Sequence, residues 1–227
     1  MAYTAEELHD LFRAEVDDLD PSDPLWSEVE VYSYMDRAQK RFALKTDCFS
    51  DTDTAAITTD DEFVAISSRF TKIRSAKLAS SGRSLRIYNY SDIETESYDD
   101  DYGSNIFQTN WEALAGTPNV IVLDMKANNG RLVGIPVADD TLNLVVFRMP
   151  LTDIEDEHSS LELTDTEHQL ALMLYMQHLA YSKQDTDTYN ARIAADKKSD
   201  FDDYAKEARL RYQRLRRKPG TVRYAGL

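Results

Sequence analysis

The sequence predicts an α+β fold: a helical bundle built from N-terminal and C-terminal helices, with a small antiparallel β-sheet domain inserted between them. Apolar residues recur at helical spacing near both ends of the chain, whereas between about Asp60 and Pro150 they alternate with polar residues, as in strands. Turn signals rich in Gly, Asn and Pro separate the strand segments. We therefore predict N-terminal helices over 1–55, a β domain over 56–160, a helical hairpin over 161–217 and an extended tail over 218–227.

Two helices are expected before the sheet. Each begins with a capping box, in which a Ser or Thr and a Glu three residues later satisfy each other's backbone N–H groups. Thr4 and Glu7 open a helix to about residue 18, which the segment Asp-Pro-Ser-Asp-Pro at 20–24 ends. Ser27 and Glu30 open a longer helix to about 46–49. Its apolar face recurs at helical spacing and comprises Val31, Met35, Ala38 and Phe42.

Alternating segments predict the strands of the inserted sheet. Lys72–Leu78 and Leu85–Tyr88 flank a Ser-Ser-Gly-Arg turn and form a hairpin. Asn119–Leu123 and Arg131–Ile135 flank Asn-Asn-Gly, a second hairpin signal, and Thr141–Arg148 is the last strand. The acidic segment 91–110 is expected to form a short helix and a surface loop.

The C-terminal region is expected to form two paired helices. A third capping box, Thr164 and Glu167, precedes a segment that is apolar nearly all round, Leu170–Met176. A helix without a polar face is buried by its own domain or by neighbouring subunits. The final helix is expected over 188–217 and pairs with the apolar helix as a hairpin. We predict that Leu172, Met173 and Met176 contact a neighbouring subunit.

The charge distribution is strongly asymmetric. The 227 residues carry 26 Lys and Arg against 41 Asp and Glu, a net charge of −15. Seven of the basic residues and none of the acids lie from Arg209 onward, so residues 1–208 hold 19 basic residues against 41 acids, a net charge of −22. A basic arm on an acidic body indicates a tail that docks on a charged partner, although a frayed, solvated tail has the same composition. Pro219 ends the helix, and we expect the chain beyond it to be extended.

The sequence carries none of the common catalytic or metal-binding motifs. The four histidines lack the close helical spacing that zinc sites favour, and the lone Cys48 has no local His partner. Asp51-Thr52-Asp53 and Asp99-Asp100-Asp101 could bind calcium, but neither lies in a calcium-binding loop of the twelve-residue type, and a solvated acidic surface accounts for both. We predict no catalytic residue, no metal site and no cofactor. Neither a membrane span nor a signal peptide is expected from the apolar pattern.

In their order and spacing these segments resemble the head-to-tail adaptor proteins of tailed bacteriophages, especially of short-tailed phages. The helix over Val31–Thr46 is similar to the helix that those proteins carry before their sheet. Gly116-Thr117-Pro118 leads into a strand, an Asn-Gly turn and a strand ending at Pro136, and Arg148-Met149-Pro150 precedes a helical hairpin with Asp185 at its turn. The resemblance covers most of residues 25–205. Two parts depart from it: Pro136-Val137-Ala138 stands where those proteins carry Pro-x-Pro, and the acidic loop over 91–102 fits no family pattern.

The resemblance implies a structural virion protein that is made in the host cytoplasm and has no catalytic centre. Such adaptors form a ring, usually of twelve copies, beneath the portal of the head, connect it to the nozzle or tube of the tail, and let genomic DNA pass through the lumen without specific binding. An acidic body suits such a lumen, because like charge keeps DNA from sticking, and it equally suits a soluble outer surface. Their C-terminal segment reaches into the portal. On this chain we expect the portal contacts in the basic arm, at Arg214, Arg216, Arg217, Lys218, Arg223, Tyr224 and Leu227.

Thirteen tyrosines leave a second interpretation open. In a binding module without catalytic activity they would form a platform for a receptor or a glycan. The candidates are Tyr32, Tyr34, Tyr88, Tyr90, Tyr98 and Tyr102. Tyrosine is equally at home in strands and in protein interfaces, so the adaptor interpretation is preferred.

Overall fold

The chain forms two compact units in the computed structural model, which describes residues 2–20, 22–96, 111–184 and 188–216. Met1–Cys48 and Met149–Leu227 belong to a helical unit, and Phe49–Arg148 form a sheet unit. The described residues contain five α-helices and one seven-stranded sheet, which confirms the predicted mixture of helices and strands. In chain order the elements are α1 (Ala5–Glu15), α2 (Glu28–Thr46), β1 (Ser50–Ile57), β2 (Phe63–Ala65), β3 (Phe70–Leu78), β4 (Ser84–Asn89), α3 (Tyr90–Glu96), β5 (Val120–Lys126), β6 (Asn129–Val133), β7 (Asp140–Arg148), α4 (Thr166–Ser182) and α5 (Ala191–Arg216).

The first two helices begin where the sequence predicts. Thr4 caps α1 and Ser27 caps α2, and in both the Glu three residues later returns the hydrogen bond, which confirms the two capping boxes. The third box is wrong, because α4 is capped by Asp165, whose carboxylate accepts from the backbone N–H of Glu167 at 2.9 Å. Asp is as good a cap as Thr, and its negative charge is favoured at a helix N-terminus. The helix therefore begins at Thr166.

The helical unit is organised around α4. This helix packs against α1, α2 and α5. The helices α4 and α5 are antiparallel, because Tyr175 contacts Phe201 whereas Glu167, earlier on α4, lies beside Arg211, later on α5. Phe42 from α2 is fully buried in the middle of the unit, 6.3 Å from Phe201 between ring centroids. Because three helices cover α4, its lack of a polar face is explained within its own chain.

Two buried glutamines hold irregular segments against the helices. Gln39 on α2 accepts hydrogen bonds through Oε1 from the backbone N–H groups of Glu162 and Leu163, at 3.0 and 3.2 Å. Gln169 on α4 binds both backbone groups of Tyr3, at 2.7 Å to its N–H and 3.0 Å to its carbonyl. Buried backbone groups need partners, and these side chains supply them where no regular structure does.

The sheet has the strand order β1-β7-β3-β4-β5-β6-β2. Every neighbouring pair is antiparallel except β4 and β5, which run parallel from Arg86 opposite Val120 to Asn89 opposite Leu123. The prediction of an antiparallel sheet is therefore wrong for this pair. Strands joined by a tight turn must be antiparallel, whereas the long connection that starts with α3 allows a crossover.

The sequence patterns also miss two strands. In β1 only Ala55 and Ile57 are buried, and the exposed Asp and Thr residues before them hide the alternation. The strand β2 is three residues long, too short for a periodic pattern to be read. Together with the predicted strands they surround one apolar cluster, which includes Ile57, Val64, Leu85, Ile121, Leu142 and Val146.

Both predicted hairpins are confirmed. The strands β3 and β4 pair through Ala76 opposite Leu85, and β5 and β6 meet at Lys126 opposite Asn129. In the second turn Asn128 has φ 57, a left-handed backbone that asparagine tolerates better than most residues. Gly130 is needed for space, because a Cβ there would lie 2.6 Å from Cδ1 of Ile121.

Candidate assembly surfaces

One of the predicted portal contacts, Arg216, is held by its own chain. Its Nη2 donates to the carbonyl of Asp47 at 2.6 Å, and its guanidinium lies over the ring of Tyr212, 5.2 Å from the centroid. Asp47 is the left-handed residue that ends α2, where backbone carbonyls lack helical partners and the helix dipole favours a cation. Arg216 therefore fastens the end of α5 to the end of α2.

The other arginines of α5 are more exposed. Arg209 lies 4.0 Å from the carboxylate of Asp47, and Arg211 lies 3.6 Å from that of Glu167. Such exposed pairs stabilise a fold by at most about 1 kcal/mol. The exposed Arg214 shares this end of the helix with Leu210 and with Leu215, whose exposed fraction is 75%. We call Leu210, Arg211, Arg214 and Leu215 the basic patch.

The remaining predicted portal contacts, Arg217, Lys218, Arg223, Tyr224 and Leu227, lie outside the described residues.

The residues predicted to contact a neighbouring subunit are covered by the chain itself. Leu172 and Met176 are fully buried, and Met173 is 5% exposed. These three side chains lie on the helix α4, which packs against α1, α2 and α5 in the helical unit. On the same helix Leu170 remains at the surface, with 41% of its area exposed. A subunit contact through α4 would therefore involve Leu170 rather than the three predicted residues.

A second charged surface lies where α1 passes into α2. Arg13 on α1 binds the buried carboxylate of Asp18 and donates to the carbonyl of Trp26 at 3.0 Å. The second oxygen of Asp18 accepts from the backbone N–H of Leu25 at 2.9 Å. These bonds close a compact loop. It exposes apolar and acidic side chains together, and we call this set the acidic patch: Asp17, Leu19, Asp20, Asp23, Leu25, Glu28 and Val29.

Sequence reasoning misses the acidic patch, because the segment 20–24 indicates only the end of a helix. A signal is present in the composition. Arg13 is the only Lys or Arg before Arg37, while eleven acids precede Arg37. The structure shows that Arg13 is turned inward to Asp18, so the surface keeps the acids without a neutralising base from this segment.

A buried histidine lies beneath the basic patch. Nδ1 of His168 is 2.9 Å from the hydroxyl of Tyr204, and the rings of Phe42 and Tyr212 lie within 6 Å of it. Burial lowers the pKa of His168, against the opposing effect of the Asp165 carboxylate, and burial raises the pKa of Tyr204 to about 12. Both side chains are therefore neutral at neutral pH, as a packed aromatic cluster requires.

Acid is expected to weaken the helical unit through His168. Because burial lowers its pKa, the unfolded chain, with an ordinary pKa of about 6.5, takes up a proton before the folded chain does. The free energy of unfolding should fall as pH drops below about 6.5, by less than about 1.4 kcal/mol per pH unit, until pH passes the folded pKa. Urea unfolding across this pH range should show that the free energy of unfolding decreases less in His168→Gln than in the wild type.

The control for this measurement is His158→Gln, which removes a histidine whose side chain is 84% exposed. It should keep the pH dependence of the wild type. An equal pH dependence in His168→Gln would contradict the link to burial.

The tyrosines do not form a common platform in the described residues. Tyr32 and Tyr34 are buried in the helical unit, while Tyr88 and Tyr90 pack against an apolar cluster of the sheet unit. Tyr98 and Tyr102 lie outside the described residues. A glycan or receptor site built on these six side chains therefore has no support from those that the structure describes.

The first candidate calcium-binding segment, Asp51-Thr52-Asp53, lies in the strand β1. Asp51 pairs with Arg148 across β1 and β7 at 2.9 Å, and this bond lowers the pKa of Asp51. Asp99, Asp100 and Asp101 lie outside the described ranges. Among described residues, no three His, Cys, Asp or Glu side chains group as metal ligands, and none of the described helices is long and apolar enough to cross a membrane.

The sequence comparison covers both units of the structure. The family model of the SU10 adaptor protein matches residues 3–223. The chain belongs to the SU10 adaptor protein family. No curated protein matches the sequence. The match confirms the predicted resemblance to phage head-to-tail adaptors and supports a structural adaptor role for this chain, as a virion component that associates with portal and tail components. The restriction to short-tailed phages stays a prediction.

Proposed function

We propose that this adaptor forms a ring, of about the twelve copies that the resemblance implies, between the portal of the head and the nozzle or tube of the tail. The observation that carries the proposal is the family match over residues 3–223, which includes every described helix and strand. The ring gives DNA a passage from head to tail. It requires no catalytic group and no cofactor.

The finer architecture belongs to the same proposal: one helical bundle carries the ring contacts, and the β domain is an insertion into it. The support is topological. The chain enters the sheet unit at Phe49 and leaves it at Arg148, and the N–H of Arg148 donates to the carbonyl of Phe49 at 3.1 Å. An inserted domain needs such adjacent ends, because the host bundle must continue as if uninterrupted.

The basic arm beyond Arg216 is proposed to dock on the portal. Because Arg216 is fastened to Asp47, the arm starts from a fixed point of the helical unit. Arg217, Lys218 and Arg223 supply its charge, and it carries no acid. The charge should steer the arm to acidic portal surfaces, and Tyr224 and Leu227 add apolar contact area.

The acidic body is proposed to surround the DNA passage without gripping DNA. Residues 1–208 carry a net charge of −22, whereas DNA-binding surfaces neutralise phosphates with excess Lys and Arg. Retardation of DNA by the chain truncated after Arg216, at physiological salt, would contradict this part of the proposal.

Truncation after Arg216 is expected to weaken attachment of the adaptor to DNA-filled heads while the fold is kept, because the arm contributes the portal contact. A second variant, with Arg217, Lys218 and Arg223 replaced by Ser, should also bind filled heads more weakly than the wild type. Cosedimentation with filled heads measures both, and far-UV circular dichroism checks the fold. Screening should make the wild-type contact weaker at high salt. Unchanged head binding by both variants would contradict the docking role.

A further inference from the structure

We infer that neighbouring copies of this adaptor join head to tail, the acidic patch of one copy receiving the basic patch of the next. The inference rests on the proposed function, because it names the surfaces through which the ring closes. Both patches belong to the helical unit.

The two patches lie at opposite ends of α2. Val29 is in the first turn of this helix, and beside it Glu30 binds Lys183, the residue that ends α4, at 2.8 Å. Asp47, just beyond the last turn, receives Arg216. At 1.5 Å per residue, Val29 and Asp47 are about 27 Å apart along the helix axis. This is more than two Debye lengths at physiological ionic strength, so one patch does not neutralise the other within a chain.

Exposed apolar side chains distinguish both patches from an ordinary charged surface. Val29 is 74% exposed and Leu19 68%, and at the other end Leu215 is 75% exposed. Single exposed apolar residues are common, but apolar groups gathered within a charged rim mark interaction sites. Each patch thus combines exposed apolar side chains with an excess of one sign of charge, and the two signs are opposite. Glu167 beside Arg211 and Lys183 beside Glu30 offset only part of that excess.

This complementarity determines the kind of contact. Two different surfaces of one chain make a heterologous contact, which closes into a ring or continues as a filament. An isologous dimer through either patch would instead bring like charges together, which is unfavourable. The chain therefore carries the surfaces of a ring-building subunit, and the arm from Arg217 onward is left for the portal.

A charge exchange tests the contact. One variant carries Asp23→Lys and Glu28→Lys in the acidic patch, and the other carries Arg211→Glu and Arg214→Glu in the basic patch. Sedimentation velocity at low ionic strength should show oligomers of the wild-type chain, at least tenfold weaker association of either variant alone, and recovery when the two variants are mixed in equal amounts. Recovery is expected because opposite charges then face each other at every contact between unlike variants. The reversed acidic patch of one variant meets the reversed basic patch of the other, and the two native patches meet each other.

The matched control places two acid-to-lysine changes outside both patches, at the exposed Asp196 and Asp200 in the first half of α5. It should associate like the wild type. Undiminished association of either variant alone, or a mixture of folded variants that stays monomeric, would overturn the contact and leave the proposed function standing. A wild-type chain that is monomeric at every concentration at low salt would also overturn it. The proposed function fails separately, if the wild-type chain forms no ring on filled heads.

Discussion

Replacing Leu172 by Asp is expected to unfold the helical unit rather than to separate subunits. The side chain is fully buried on α4, the helix that α1, α2 and α5 cover. An unpaired carboxylate at such a site costs several kcal/mol even when it becomes protonated, and the lost packing of Leu172 adds to that cost. Since whole domains are stable by only about 5–15 kcal/mol, we expect the helical circular dichroism signal to be largely lost at 25 °C.

Leu170→Asp is the matched control for this prediction. It makes the same chemical change two residues earlier on the same helix, where the leucine is 41% exposed. We expect a folded chain whose free energy of unfolding lies within about 1 kcal/mol of the wild type. A Leu172→Asp chain that is folded but no longer self-associates would contradict the burial and support the prediction from sequence of a subunit contact at Leu172.

Arg13→Met is expected to lower the free energy of unfolding by about 3–5 kcal/mol. The substitution leaves the carboxylate of Asp18 buried, with only the N–H of Leu25 as a described partner, and it removes the donor to the carbonyl of Trp26. Removing one partner of a buried pair is costly because the remaining charge stays desolvated. Chemical denaturation monitored by far-UV circular dichroism measures the loss.

Two further variants distinguish the cost of leaving a buried carboxylate unpaired from the cost of removing any arginine. Arg211→Met removes an arginine whose partner Glu167 is also exposed, and it should cost at most about 1 kcal/mol. In the double variant Arg13→Met with Asp18→Asn, the amide oxygen still accepts from Leu25 but no charge is buried. It should recover a large part of the loss. A double variant as unstable as Arg13→Met alone would show that the lost stability comes from packing and not from the buried charge.

The same arginine links stability to assembly. Arg13 holds the loop that displays Leu19, Asp20 and Leu25, so a chain lacking it should also associate more weakly at temperatures where it remains folded. The acidic patch is thus an ordered surface built by a buried ion pair, not a loose run of acids.

Features that depend on neighbours in sequence were predicted well. The capping boxes at Thr4 and Ser27 act within one helical turn, and the Asn-Asn-Gly turn acts within one hairpin, so the residues present are sufficient to predict them. The cap of α4 lies one residue beyond the predicted Thr164, at Asp165, and both residue types are good caps, so the local sequence does not distinguish between them. Periodicity does not reveal the strand β1, because six of its eight residues face solvent.

Local sequence patterns are sufficient to predict the mixture of helices and strands, the starts of the first two helices, the asymmetry of charge and the family. Three features become apparent only from contacts between distant segments: β4 and β5 run parallel, Leu172 and Met176 are covered by their own chain, and Arg13 and Arg216 bind internal partners. The physical reason is the range of the interactions. Periodicity and capping report the chemistry of a residue and its nearest neighbours, whereas burial and charge pairing depend on segments far away in the chain, such as Asp47 beside Arg216. Which side chains lie in the core and which remain on a surface that could contact a second copy is therefore decided by the folding of distant segments against each other.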